Sequence, residues 1–372
     1  MKKLISIIIG AVIAMNLSAQ TTFNPVNPNA TLEAKQLLEF LYSVQGKYCL
    51  TGQHNFVSDL KRYDDAVFNI TGKYPVVWGS DFSFNALGDS VRRFQHCGPM
   101  NLTVPFDECK VNGRSTDDLR QSMIDEVKKK YAEGRIITLM WHNCFPTEGD
   151  DCPGSDIWAF ERRPTPAQWD ELVTDGTPLN KAWKKQMDGV VKYLKQLQDD
   201  KIPVLWRPYH EMNGVWFWWC DKPGDWGFKR LWIMMYDYFT KHHKLNNLLW
   251  VWNTNAPRDI PGDEAGPYKY FYPGSEYVDI LAADVYRHDY KQSHHDDLLN
   301  IGGGKLIALG EIGDMPYLEQ YKAQPKWSWF MTWGYAINRW MTDDDVRSVY
   351  NHSRSITLDE IDFSGKSYKL KK

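Results

Sequence analysis

The sequence predicts a (β/α)₈ barrel formed by one domain, residues 20–372, and three observations lead there. Eight short strand-like runs alternate with helical patterns along the chain. Several of these runs are apolar almost throughout, as strands covered on both faces must be. Polar and aromatic residues then gather where the runs end, the position from which barrel side chains reach the mouth.

In order, the strand candidates are Tyr48–His54, Pro75–Phe82, Ile136–His142, Pro203–Tyr209, Leu248–Trp252, Val278–Tyr286, Leu306–Glu311 and Trp327–Trp333. Between them, Thr116–Glu133, Leu179–Asp199 and Gly227–His242 read as amphipathic helices, with Thr116 and Asp117, and then Asn180, as N-terminal caps. Pro257–Gly274 reads as a long loop, and Gly302-Gly303-Gly304 as a turn before a strand. The rival architecture is an open doubly wound sheet. It needs a glycine-rich phosphate turn after its first strand, and Thr51-Gly52-Gln53-His54 is not one.

Composition narrows the function classes. The chain has 372 residues, 43% hydrophobic and 24% charged, which fits a globular protein and excludes a disordered or collagen-like one. A net charge of −3 without a long run of one sign leaves no basic stripe for nucleic acid. At the N-terminus, Lys2 and Lys3 precede an apolar stretch from Leu4 to Met15, and Leu17-Ser18-Ala19 has the small-residue end of a cleavable signal. Residues 1–19 are therefore expected to be a signal peptide. The apolar stretch falls short of the roughly 20 residues of a membrane span. No cysteine follows it closely for lipid attachment, so the expectation is export without a membrane anchor, to the periplasm or beyond.

Export colours the six cysteines, Cys49, Cys97, Cys109, Cys144, Cys152 and Cys220, which lack the paired spacing of a zinc site. The short separations Cys97/Cys109 and Cys144/Cys152 suit disulfide loops in an oxidising compartment, and buried free thiols remain the alternative. The aromatic content is high, with 17 Trp and 14% aromatic residues. Such an excess suggests flat platforms for a ligand with apolar faces.

The densest stretch is Trp206-Arg207-Pro208-Tyr209-His210-Glu211-Met212-Asn213-Gly214, followed by Trp216-Phe217-Trp218-Trp219. An apolar run becomes a cluster of charges just where the fourth strand should end. Buried Arg, His and Glu need partners, and an Arg207–Glu211 ion pair is the structural alternative to a reactive site. His210-Glu211 begins like the HExxH zinc motif, but Gly214 stands where the second His belongs. No metal or cofactor is expected. A second carboxylate, Glu311, lies between glycines in Leu309-Gly310-Glu311-Ile312-Gly313, at the end of the seventh strand. In a barrel those two ends face one another across the mouth.

Two facing carboxylates among many Trp residues suggest glycoside hydrolysis. One acid protonates the leaving oxygen, and the other attacks or activates water. Indole rings stack on the C–H faces of sugars. His210, Arg207 and Tyr286 are placed to hydrogen-bond hydroxyls or to set the charge state of the carboxylates.

The Arg207–Gly214 run with Trp216-Phe217-Trp218-Trp219 resembles the signature of family 26 glycoside hydrolases, mostly β-mannanases. The similarity extends to Thr51-Gly52-Gln53-His54, Trp141-His142, Asp284 with Tyr286, and Gly310-Glu311-Ile312-Gly313, in the right order over nearly the whole mature chain. The resemblance implies a retaining mechanism on a (β/α)₈ barrel, with Glu211 as acid/base and Glu311 as nucleophile. It implies that Tyr286 hydrogen-bonds the nucleophile. It also implies that His142, Trp216, Asp284, Trp333 and Trp158 line the sugar subsites. The expected partner is β-1,4-mannan, glucomannan, galactomannan or their oligosaccharides, acted on by a monomer. A family member cutting mixed-linkage β-glucan or β-1,3-xylan is one alternative. A non-catalytic carbohydrate binder on the same fold is the other.

Overall fold

The computed structural model describes residues 24–83, 87–88, 91–92, 114–149 and 162–371. Residues 1–19, expected to be a signal peptide, and Cys97, Cys109, Cys152 and Trp158 lie outside the described residues.

Each of the expected strands forms. Strand β1 is interrupted, running as Cys49–Leu50 and Gly52–His54. Then come β2 (Val77–Asp81), β3 (Ile136–Trp141), β4 (Val204–Pro208), β5 (Leu248–Asn255), β6 (Ile280–Val285), β7 (Leu306–Ile312) and β8 (Trp327–Thr332). Neighbours pair in parallel from β1 to β7, and β8 pairs with both β7 and β1, which closes the barrel. All these strands are buried along their length, as barrel strands sheathed by helices should be. Ser355–Ile356 adds a short parallel strand outside Cys49–Leu50.

The helices start slightly differently from the sequence expectation. The caps are Ser115 and Thr177, not Thr116 with Asp117 or Asn180. In each case the hydroxyl one step outside the first helical turn accepts from the third backbone N–H, which is the cap geometry. Asn180 turns inward instead and donates to Leu172 O. Helix Phe228–Asp237 widens into a π-helical turn at Tyr238–His242. Gly303, at φ 57°, ends helix Gln292–Gly302, so the glycine triplet is the turn expected of it.

The aromatic excess needs correcting. Trp78, Trp183, Trp206, Trp250, Trp252, Trp327 and Trp329 are fully buried in the body of the barrel. Large rings fill the space between sheet and helices, so most of the tryptophans serve packing rather than ligand stacking. Cys144, just past β3, is disulfide-bonded, whereas Cys49 and Cys220 are buried free thiols. No helix among the described residues is long and apolar enough to cross a membrane.

Candidate active site

Strand β4 delivers Arg207 into the barrel, and the chain then turns sharply to present His210 and Glu211. That turn puts Tyr209 and Glu211 at φ 47° and 57°, left-handed conformations that each cost about 1–3 kcal/mol for a residue with a side chain. The surrounding indoles hold the turn in place. Trp219 Nε1 donates to His210 O at 2.9 Å, and Trp218 Nε1 donates to Asn143 O at 2.9 Å. Phe217 stacks on Trp219 and packs edge-on against His142. The Trp-Phe-Trp-Trp run is thus largely the scaffold of the turn that carries Glu211.

Glu311 is aimed by a different device. The pairing register of β7 with β6 slips between Leu309 and Glu311, so Gly310 is the extra residue of a β-bulge. A side chain at 310 would overlap the Asn253 amide and crowd Asp284, and one at 313 would overlap the Tyr286 ring. Gly310 and Gly313, on either side of Glu311, therefore make room for side chains of the site itself.

Glu311 is gripped from both sides. Arg207 Nη2 donates to Oε1 at 2.7 Å, and the Tyr286 hydroxyl donates to Oε2 at 2.6 Å. His210 Nε2 lies 3.7 Å from Oε1. The structural alternative, an Arg207–Glu211 ion pair, is not what forms: Arg207 is the partner of Glu311, and also lies 3.6 Å from Asp284. Burial alone would weaken the guanidinium's hold on its proton, but the charges of Glu311 and Asp284 outweigh this and raise its pKa.

Glu211 has the opposite surroundings. Its oxygens accept from Trp216 Nε1 and Asn255 Nδ2, both at 2.6 Å. Burial, and then the negative charge of Glu311, push its pKa up to about 7. Asp284 is fully buried, and burial followed by repulsion from Glu311 raises its pKa well above the usual carboxylate range, against the pull of Arg207.

The remaining expected residues join the same mouth. His142 Nδ1 donates to Asp81 Oδ2 at 2.6 Å, which sets its tautomer, and its ring meets that of His210 at 4.2 Å. Trp333 stacks on His54 at 4.3 Å and lies 6.3 Å from His142. The structure thus brings together His142, Arg207, His210, Glu211, Trp216, Asp284, Tyr286, Glu311 and Trp333, and leaves Trp158 undescribed. Sequence reasoning missed Asn253, Asn255 and Arg258, which contact Arg207, Glu211 and Trp216.

His210, Asp284 and Glu311 bring one potential metal-ligand atom each within 4.8 Å of one another. The Arg207 guanidinium already lies 2.7 Å from Glu311 and 3.6 Å from Asp284, so a metal ion would have to displace it.

A closed parallel barrel with two buried, oppositely prepared carboxylates at its mouth defines a glycosidase-type site. The chain belongs to glycosyl hydrolase family 26, whose sequence pattern matches residues 26–91 and 107–360. It is 30% identical over 361 residues to mannan endo-1,4-β-mannosidase A of Piromyces sp, covering 94% of this chain and 52% of that protein. The chain spans between half and two thirds of the length of the first curated relatives it matches. Among solved structures, GH26A from Muricauda sp. MAR_2010_75 superposes with a TM-score of 0.80 at 42% identity, covering 91% of this chain and all of that one. A β-mannanase from a symbiotic protist of the termite Reticulitermes speratus, complexed with gluco-manno-oligosaccharide, superposes at 0.71 with 28% identity, covering 91% and 97%.

Proposed function

We propose that this chain is an exported, monomeric β-mannanase that cleaves β-1,4-mannosidic bonds with retention of configuration. One observation carries the reading: the two carboxylates have been prepared for opposite tasks. A guanidinium and a phenol each hydrogen-bond an oxygen of Glu311, while burial and the Glu311 charge keep a proton on Glu211 up to about pH 7.

In the first step an oxygen of Glu311 attacks the anomeric carbon as Glu211 passes its proton to the departing glycosidic oxygen. The C–O bond to the leaving sugar breaks, and a glycosyl ester forms on Glu311. That ester is neutral, so the repulsion that raised the proton affinity of Glu211 disappears. Glu211 is then a carboxylate, ready to take a proton from the water that attacks the ester. One electrostatic coupling thereby switches Glu211 from acid to base.

His210 is proposed to face the 2-hydroxyl of the reacting mannose, with Asp284 and His142 on neighbouring hydroxyls and Trp333 beneath the ring. Trp158 is proposed as a further sugar contact. The names of the relatives support mannan as substrate, and the disulfide at Cys144 accords with an oxidising compartment.

The substrate test is a parallel assay on mannan, galactomannan, mixed-linkage β-glucan and β-1,3-xylan, with products followed by NMR. Mannan or galactomannan should be cleaved fastest, and the first product should keep the β configuration. Faster cleavage of either of the last two would reassign the substrate, and no hydrolysis at all would leave a carbohydrate binder. Tyr286→Phe removes one of the two donors to Glu311 and should lower kcat by about 10²-fold while KM changes less than threefold. An unchanged kcat with tenfold weaker binding would place the Tyr286 hydroxyl on the substrate instead. The kcat/KM profile of the parent enzyme should fall as pH rises through about 7, where Glu211 loses its proton.

A further inference from the structure

Glu211 receives hydrogen bonds from two donors on different segments, and both donors meet a single side chain. Arg258 Nη1 donates to Asn255 Oδ1, and the Arg258 guanidinium lies 5.0 Å from the centre of the Trp216 ring. The arginine is itself fixed, donating from Nε to Asp263 O at 2.8 Å and from Nη2 to Asp263 Oδ1 at 2.5 Å. Its backbone exchanges hydrogen bonds with Ala265, and Asn213 ties the far side of that loop to Asn255 through Gly266 O and Asn255 O. Arg287 pairs with Asp263 from the loop after β6.

From this geometry we infer that Arg258 is a positioning residue that sets the proton affinity of the acid/base through Asn255 and Trp216. The inference rests on the proposed role of Glu211. A guanidinium has only donors, so the Asn255 oxygen must face Arg258 and the amide nitrogen must face Glu211. Without Arg258 the amide is free to rotate and offer its oxygen, and that contact favours protonated Glu211 over the anion. The Trp216 N–H is steadied in the same way, with the cation on its ring face. Arg258 also favours the Glu211 anion directly, by charge. It thereby acts against the charge of Glu311 and with the hydrogen bonds from Asn255 and Trp216. Glu311, Asp284 and Tyr286 approach from β6 and β7, and Cys220 donates to Glu211 O from the loop after β4. Arg207 and His210 sit beyond them on Glu311. An acid that is too weak would transfer its proton slowly and would fail to return to the carboxylate that the second step needs.

The test replaces Arg258 with Met, which keeps the stem over Trp216 and removes charge and donors. The alkaline limb of kcat/KM on mannan oligosaccharides should move up by about one pH unit, and kcat at pH 6 should fall about tenfold. On a β-mannoside with an activated leaving group, which needs no proton, formation of the ester should be nearly unaffected. Arg258→Lys should restore part of the charge effect and leave the limb between the other two. A melting curve and near-ultraviolet circular dichroism establish that each variant is folded. A folded Arg258→Met whose rate falls equally on both substrate types, with an unmoved alkaline limb, would show a merely structural role and overturn the inference. The reading beneath is checked separately with Glu211→Ala: full activity on mannan there would remove the acid/base assignment itself, whatever Arg258→Met does.

Discussion

Glu311→Ala is expected to lower hydrolysis of every glycoside by at least about 10⁴-fold, whatever the leaving group, because no glycosyl ester can form. The substitution removes more than a nucleophile. Arg207 loses its 2.7 Å carboxylate partner and is left with Asp284 at 3.6 Å as the nearby carboxylate, beside its hydrogen bond to Asn253. Glu211 loses the repulsion that, after burial, raises its proton affinity most. Its carboxyl should then titrate at lower pH, which isotope-edited infrared spectroscopy at the carboxyl stretch can follow. Retained activity on mannan, or an unshifted Glu211 titration, would separate the two carboxylates and undo the coupling. Initial rates on mannan and on an aryl β-mannoside decide the first point.

The second large effect is selective rather than total. Glu211→Ala should cost about 10²–10⁴-fold on mannan, where the departing sugar oxygen must be protonated. On a dinitrophenyl β-mannoside, whose leaving group departs as an anion, ester formation should proceed and its hydrolysis should become slow. Azide fits the space vacated by the side chain and attacks without a general base, so added azide should speed turnover and yield a β-mannosyl azide. An equal loss on both substrates, with no response to azide, would mean that Glu211 shapes the site without transferring the proton.

Much of this architecture could be read from residue order. The strands were legible because barrel strands are apolar on both faces, and Val204-Leu205, Leu248–Trp252 and Leu306–Leu309 are nearly uninterrupted runs. Glu211 and Glu311 were legible for the complementary reason, since a charge directly after such a run has nowhere to go but the mouth. The reading ended β5 at Trp252, whereas the strand continues to Asn255. Asn is a poor strand residue, so Asn253-Thr254-Asn255 lacks the apolar character of the run before it. That early stop hid Asn253 and Asn255, two residues apart on one inward face, which contact Arg207 and Glu211. Arg258 was hidden for a different reason. It sits in an irregular loop, where no periodicity indicates which way a side chain points.

The tryptophans carry a related lesson. Residue type established that they needed somewhere apolar to sit, and a barrel wall and a sugar face both qualify. Trp250 and Trp252 fill the wall, while Trp216 sits with its N–H on Glu211. Only tertiary contacts separate those cases. The bulge at Gly310 likewise leaves no trace in hydrophobic pattern, although it determines where Glu311 points.

The central claim is that Glu311 forms a covalent bond to the sugar, and trapping that bond tests it most directly. A dinitrophenyl 2-deoxy-2-fluoro-β-mannoside has a leaving group good enough to form the ester and a fluorine that slows its hydrolysis. After incubation and proteolysis, mass spectrometry should find one fluoroglycosyl unit on the peptide containing Gly310-Glu311-Ile312, and none on the same peptide from Glu311→Ala. An adduct on another carboxylate, or no adduct from an enzyme that hydrolyses mannan with inversion, would contradict the account.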